Sequence, residues 1–124
     1  MIKVLVIDDH QQQAEIISQF MQTVGFNSEY LTESDKALDK IRDNTPDVII
    51  LDIMMPKLDG LTLLKQIRDD DQLKHIKIMI YTAKNFHVDR RKAIDLGADL
   101  FIAKPTRGTE LINYVKNLAG AAAS

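Results

Sequence analysis

Short apolar runs alternate with longer amphipathic stretches along the whole chain, and this alternation constrains the fold more than any other feature. The short runs have the length and the aliphatic, β-branched composition of strands. They are residues 2–7, 28–31, 48–51, 76–81 and 100–103. The intervening stretches place apolar residues at helical spacing. They predict helices at about 11–24, 34–43, from 60 onward, 88–96 and 109–119.

Strands that alternate with helices pair in parallel through right-handed crossovers. The pattern therefore predicts an α/β fold, a doubly wound five-stranded parallel sheet with helices on both faces. A chain of 124 residues with 45% hydrophobic residues can bury one core, so we expect a single domain over residues 1–124.

Charge and composition exclude several kinds of function. The net charge of -2 comes from mixed signs without a basic stripe, which argues against direct binding of nucleic acid or of anionic membranes by this domain. No apolar run approaches the roughly 18 residues that span a bilayer, and the first one stops at Asp8. The absence of cysteine fits a reducing compartment. We expect a cytoplasmic protein.

Carboxylates stand where two of the predicted strands end. Asp52 follows the fully apolar run 48–51, and Asp8 and Asp9 follow the first strand. A half-buried unpaired carboxylate costs several kcal/mol. Asp52 alone could serve to cap the next turn. In doubly wound folds, however, ligands bind beyond the carboxyl ends of the strands, so these three acids are expected to meet at one edge.

The same edge should receive a hydroxyl and an ammonium group, because Thr82 and Lys104 end the fourth and fifth strands. Two carboxylates about 4 Å apart repel by about 4 kcal/mol at an effective dielectric constant of about 20, so a hard divalent cation such as Mg²⁺ is their natural partner. Singly, Thr82 and Lys104 have ordinary roles as a strand cap and a surface charge. Together with a metal and a nucleophilic carboxylate, they supply what phosphoryl transfer requires.

Several sequence pieces strengthen this interpretation because they occur in order at the strand ends. They are Val4-Leu5-Val6-Ile7-Asp8-Asp9, Leu51-Asp52-Ile53-Met54-Met55-Pro56-Lys57-Leu58-Asp59-Gly60, Tyr81-Thr82-Ala83-Lys84, Gly97-Ala98-Asp99 and Phe101-Ile102-Ala103-Lys104-Pro105. Each piece is a weak signal alone. Together they are highly specific, and the chain resembles, over essentially its whole length, the receiver domain of response regulators in bacterial two-component signalling. The resemblance implies a flavodoxin-like strand order of 2-1-3-4-5.

The resemblance also implies specific roles around the acids. Asp52 would accept a phosphoryl group from a histidine kinase or a His-phosphotransfer protein. Asp9 and Asp52 would bind Mg²⁺ directly, Asp8 would act through water, and Met54 would offer its backbone carbonyl. Met54 and Lys84 would also control the access of hydrolytic water, which predicts a slowly decaying phosphoryl group.

Further roles are implied on the other strand ends. Thr82, Lys104 and the backbone N–H of Ala83 would hold the phosphoryl oxygens, and the Lys104-Pro105 peptide would be cis. The histidines are expected to be surface residues without mutual metal spacing. They are His10, His75 and His87, and only His10 is expected near the acids.

The signal is expected to leave through the face formed by the fourth helix, the fifth strand and the fifth helix. Thr82 and Phe101 would act as the switch, with Phe101 turning from exposed to buried, although Phe101 could instead be a core aromatic that is buried in both states. Partners on this face would be a downstream protein or output domain, or a second copy after phosphorylation. The chain is either a stand-alone regulator, which we favour, or a receiver from a longer protein. Leu100 and Thr106 depart from the residues usual in one large DNA-binding-linked subfamily, which argues against a transcription-factor origin without excluding it.

Other classes of function fit less well. Aspartyl-phosphate hydrolases of similar fold have Asp-x-Asp at the first strand, whereas this chain has Asp8-Asp9-His10. A flavodoxin needs a Ser/Thr/Gly-rich phosphate loop where this chain has acids. A degenerate receiver that serves only for docking would lack the acid, Thr and Lys set. We therefore expect a receiver that catalyses its own phosphorylation and dephosphorylation rather than a conventional enzyme.

Overall fold

A computed structural model describes residues 1–83 and 87–123, with side chains up to residue 120. The strands are β1 (Lys3–Ile7), β2 (Asn27–Leu31), β3 (Val48–Leu51), β4 (Lys77–Thr82) and β5 (Leu100–Ala103). They form a parallel sheet in the order β2-β1-β3-β4-β5. The predicted fold class and strand order are thus confirmed, and the strand bounds agree with the sequence prediction to within one residue at each end.

Helices cover both faces of this sheet. They are α1 (Gln11–Thr23), α2 (Ala37–Asn44), α3 (Gly60–Asp69), α4 (His87–Asp95) and α5 (Gly108–Ala123). The second predicted helix is divided, because a 3-10 turn at Ser34–Lys36 precedes α2. In the described part of the chain, none of the helices is long and apolar enough to cross a membrane.

The sheet separates two apolar clusters because strand side chains point alternately to opposite faces. On one face, Leu5 and Ile49 pack with residues of α2, α3 and α4. On the other face, Val4 and Ile50 pack with residues of α1 and α5. The central strand β3 is buried at every position, which explains its unbroken apolar sequence.

Helix ends follow the local sequence signals. α1 ends at Thr23, and Gly25 adopts a φ of 91°, a conformation that glycine allows at low cost. The predicted helix was to reach about residue 24, but α1 ends one residue earlier, and Val24 is exposed beyond it. At α3, the carboxylate of Asp59 caps the helix by accepting a hydrogen bond from the N–H of Leu61 at 2.7 Å.

The strand register aligns the carboxyl ends at one edge. Ile7 pairs with Leu51, Leu51 pairs with Ile80, and Thr82 pairs with Ala103. The residues that follow β1, β3 and β5 therefore lie at the same edge of the sheet as the end of β4. This is the edge at which a doubly wound fold binds ligands.

Candidate functional site

The three carboxylates meet at this edge as the sequence predicted. Asp8, Asp9 and Asp52, here called the acidic corner, follow the neighbouring strands β1 and β3. One ligand atom from each of them, together with one ring nitrogen of His10, lies within 4.8 Å of the others. Asp8 and Asp52 are buried, whereas the side chain of Asp9 is 28% exposed.

Thr82 and Lys104 join the acidic corner from β4 and the end of β5. The Thr82 hydroxyl donates to Oδ1 of Asp52 at 2.8 Å. Lys104 Nζ donates to Oδ2 of Asp52 at 3.0 Å and to Oδ2 of Asp8 at 2.7 Å. Residues up to 96 positions apart in the chain thus form one hydrogen-bonded group.

The charges of this group do not balance. Three carboxylates face the single ammonium of Lys104, which leaves an excess of two negative charges when all are ionised. Burial by itself lowers the pKa of Lys104, but the hydrogen bonds and charges of Asp8 and Asp52 outweigh it and raise the pKa above its ordinary value of 10.5. The lysine therefore stays protonated.

The Asp9 side chain supplies the corner with an oxygen suited to binding a metal ion. Among the described residues, its buried Oδ1 atom makes no hydrogen bond, although Nδ1 of His10 lies 3.3 Å away, within ion-pair distance. A buried oxygen without a donor is costly in a folded protein. A carboxylate oxygen in this state, beside two further carboxylates, fits the donor set that Mg²⁺ prefers.

The loop after β3 is held close to the corner. The backbone N–H of Met54 donates to Oδ1 of Asp52 at 2.9 Å, while the Met54 side chain is half-exposed. The Ser34 hydroxyl accepts a hydrogen bond from the N–H of Leu58 at 2.9 Å. A Cβ atom at Gly60 would lie only 2.5 Å from the backbone oxygen of Asp52, so any other residue there would displace the backbone of Asp52.

Two contacts of Lys104 were not anticipated from the sequence. Gln13 on the first turn of α1 accepts a hydrogen bond from Lys104 Nζ through Oε1 at 2.7 Å. The Tyr81 ring lies 5.5 Å from Nζ, within the range of a cation–π contact. Its hydroxyl accepts a hydrogen bond from the N–H of Thr106 at 3.0 Å. The polar Gln11-Gln12-Gln13 sequence carries no signal that distinguishes Gln13 from its neighbours.

His10 is exposed and lies beside the acidic corner, both as predicted. Its side chain is 65% exposed, and Nδ1 lies 3.3 Å from Oδ1 of Asp8 and 3.3 Å from Oδ1 of Asp9. Its backbone N–H donates to Oδ1 of Asp8 at 2.9 Å. The two other histidines, His75 and His87, are also exposed, in agreement with the prediction.

The remaining predicted residues take definite positions. The Lys104-Pro105 peptide is cis, as expected. Ala83 follows β4 and is exposed, and Phe101 on β5 is buried. The role predicted for Lys84 falls outside the described residues.

Comparisons with known proteins place this chain in a family. A family model described as the response regulator receiver domain matches residues 4–116. The CpxR homolog of Haemophilus influenzae, a transcriptional regulatory protein, is 34% identical over 100% of this chain and 53% of its own length. The transcriptional regulatory protein BaeR of Escherichia coli O6:H1 is 30% identical over 94% of this chain and 47% of its own length. The chain thus spans about half the length of these curated relatives.

Solved structures agree in both fold and extent. The receiver domain of the Francisella response regulator 1452 superposes with a TM-score of 0.89 at 32% identity, covering 98% of each chain. A two-component response regulator from Clostridium difficile gives a TM-score of 0.92 at 27% identity over 100% of each chain. The chain belongs to the response regulator receiver domains, the phosphorylation-activated signalling modules of two-component systems.

Proposed function

We propose that Asp52 is the residue that accepts the phosphoryl group, and that the donor is a phosphohistidine of a histidine kinase or of a His-phosphotransfer protein. One observation carries this assignment: the Asp52 carboxylate receives both the Thr82 hydroxyl and the Lys104 ammonium, within 3.0 Å, beside two further carboxylates. Nucleophile, donors and metal ligands are the parts that phosphoryl transfer needs.

The transfer itself is a displacement at phosphorus. A carboxylate oxygen of Asp52 forms a new O–P bond while the P–N bond of the donor phosphohistidine breaks. The donor imidazole leaves with the electron pair of that bond and takes up a proton. The product is an acyl phosphate on Asp52, and no redox partner or further co-reactant is needed.

Mg²⁺ is the metal that this donor set fits. Asp9 and Asp52 would hold it directly, Asp8 through water, and Met54 through its backbone carbonyl. A bound Mg²⁺ supplies positive charge that offsets the repulsion among the carboxylates and the charge on the phosphoryl oxygens. The unpartnered Oδ1 of Asp9 supports this ligand set.

Thr82, Lys104 and the backbone N–H of Ala83 would then hold the phosphoryl oxygens. In the unphosphorylated structure, Thr82 and Lys104 both donate to Asp52, so phosphorylation requires them to turn from the carboxylate to the phosphoryl group. The movement required is small, because both groups already lie within 3.0 Å of the Asp52 carboxylate. The domain thereby catalyses its own phosphorylation, and hydrolysis of the acyl phosphate resets it.

Intact-mass spectrometry tests the assignment. With Mg²⁺ and a small acyl-phosphate or phosphoramidate donor, the protein should gain one phosphoryl group, and Asp52→Asn should gain none because an amide is not a competent nucleophile. Asp59→Asn is the matched control, since Asp59 is an exposed helix cap outside the acidic corner. Phosphorylation of Asp52→Asn at the wild-type rate would refute the assignment.

We further infer that the response leaves through the face of α4, β5 and α5, with Thr82 and Phe101 as the switch. The Phe101 ring is buried and lies 5.4 Å from the guanidinium of Arg90 on α4. Thr82 is already hydrogen-bonded to Asp52, and Phe101 is already buried here. The switch would therefore be a repacking of the buried ring when Thr82 turns to the phosphoryl group, rather than a turn from exposed to buried. The partner that binds this face would be a downstream protein, an output domain or a second phosphorylated copy of the chain.

NMR with and without beryllofluoride tests this output route. The Phe101 ring should change its rotamer populations in the beryllofluoride complex, and shifts should extend over α4, β5 and α5. If Phe101 is unchanged and the shifts stay within the loops around Asp52, the ring is a plain core residue and the route is wrong.

We propose that the domain acts in the cytoplasm and does not itself bind nucleic acid.

A further inference from the structure

The position of His10 suggests a second property of the acidic corner. His10 occupies the N-cap of α1, where Ser, Thr, Asp and Asn are preferred because their side chains accept a backbone hydrogen bond. Within the described part of the chain, the His10 side chain makes no such capping bond. The Asp59 carboxylate at the start of α3 does make one. The imidazole is therefore not used to begin the helix.

The backbone instead fixes the imidazole over the carboxylates. The backbone N–H of His10 donates to Oδ1 of Asp8, and this hydrogen bond holds His10 next to that carboxylate. Nδ1 then lies 3.3 Å from one oxygen of Asp8 and 3.3 Å from one oxygen of Asp9. Nδ1 is hydrogen-bonded to Oδ1 of Asp8 in this arrangement, so an ion that binds the nitrogen would displace its proton.

These separations match those between ligands of one small cation. Ligand atoms about 2.0 Å from a tetrahedral ion are about 3.3 Å apart. The oxygen of Asp9 that faces Nδ1 is also the one without a hydrogen-bond partner in the described residues. With Asp52, the corner offers one nitrogen and three oxygen donors within 4.8 Å of one another.

We propose that His10 is an imidazole ligand that makes the acidic corner a site for nitrogen-preferring divalent ions such as Zn²⁺, in competition with Mg²⁺. This inference rests on the proposed function, because it places both ions at the corner that serves Asp52. Mg²⁺ takes oxygen ligands and gains nothing from an imidazole, whereas Zn²⁺ binds imidazole nitrogen well. His10 therefore sets which ion the corner prefers.

Calorimetric titration with each metal alone, without a phosphodonor, tests the selectivity. His10→Gln should lower the affinity for Zn²⁺ by at least about tenfold while the affinity for Mg²⁺ stays unchanged. The matched control is His75→Gln, because His75 is exposed near the opposite edge of the sheet. That control should bind both ions as the wild type does, and excess Mg²⁺ should weaken the apparent binding of Zn²⁺ to the wild type.

A spectroscopic measurement separates ligation from a merely structural role. In ¹⁵N spectra of the imidazoles, Zn²⁺ should shift Nδ1 of His10, and Mg²⁺ should leave it in place. An unshifted Nδ1, or equal losses of Zn²⁺ and Mg²⁺ affinity in His10→Gln, would overturn the inference. Failure of the proposed function looks different: no mass gain with Mg²⁺ and a phosphodonor, whatever the result with Zn²⁺.

Discussion

Two clusters around a cation lie at opposite edges of the sheet, and they hold their cations differently. At the amino edge, the Arg68 guanidinium donates to backbone carbonyls and to the Asp99 carboxylate. The carbonyls belong to Lys74, Ile76 and Gly97, and the distances in this cluster are 2.6–3.0 Å. At the carboxyl edge, Lys104 is held by the side chains of Asp8, Asp52 and Gln13.

The difference lies in what each cation could do. The carbonyls around Arg68 are fixed by the backbone, and Oδ2 of Asp99 also accepts the N–H of Ile78 at 2.8 Å. That arrangement ties α3 to the starts of β4 and β5. The partners of Lys104 are all side chains, and their two negative charges exceed its single positive charge. The lysine can therefore turn to a new anion without the loss of any hydrogen bond to the backbone. We interpret the first cluster as a structural clamp and the second as a site for chemistry.

Removal of the clamp should have the largest effect on stability. Arg68→Met leaves the Asp99 carboxylate and several carbonyls without their donor, and we expect a loss of about 3 kcal/mol of unfolding free energy. Asp99→Ala should act in the same direction. Urea unfolding of the metal-free protein measures both variants. Unchanged midpoints would mean that the guanidinium contributes little and that the contrast between the two clusters is unfounded.

At the other edge, removal of a carboxylate should stabilise the protein when metal is absent. Asp9→Ala relieves repulsion and removes an oxygen without a described hydrogen-bond partner, so we expect a gain of about 1 kcal/mol. The wild type should gain about 2.7 kcal/mol from Mg²⁺ at a hundredfold excess over its dissociation constant. Asp9→Ala should lose most of that gain. If its melting temperature rises with Mg²⁺ as much as that of the wild type, the metal binds elsewhere.

The smallest effect should be the pH dependence that Lys104 contributes. Its pKa in the folded protein is raised above 10.5, so the folded state holds this proton more tightly than the unfolded chain. The resulting stabilisation is fully present below pH 10.5 and is lost as the pH rises through the folded pKa. In metal-free solution, the difference in unfolding free energy between wild type and Lys104→Met should shrink above that pH. A difference that stays constant there would contradict the raised pKa.

The sequence predicted one of these clusters far better than the other. Asp8, Asp52 and Thr82 were found because each ends an apolar strand, and topology alone brings such ends together. Arg68 and Asp99 are 31 positions apart; Asp99 precedes the amino end of β5, where no ligand site is expected, and Arg68 lies near the end of α3 without a pattern that marks it. Asp99 was noted only as part of a motif, without a partner.

Contacts made across the fold by ordinary residues were also invisible in the sequence. The bond from Lys104 to Gln13 depends on how the start of α1 lies beside the segment after β5, and nothing in a polar helix start indicates it. The need for glycine at position 60 comes from the close approach of the Asp52 backbone rather than from an unusual φ. Spacing along the chain predicts which face of a helix or strand a residue occupies. The distances between residues on different elements depend on how those elements pack.

A crystal structure with Mg²⁺ and beryllofluoride would test the central claim most directly. We predict beryllofluoride on Asp52, with Lys104 Nζ turned from Asp8 to the fluorine atoms, while the contacts of Arg68 with Asp99 and the backbone carbonyls stay as they are. Beryllofluoride bound at another residue, or Lys104 still paired with Asp8 in the occupied site, would contradict the assignment of the acidic corner as the phosphoryl-accepting site.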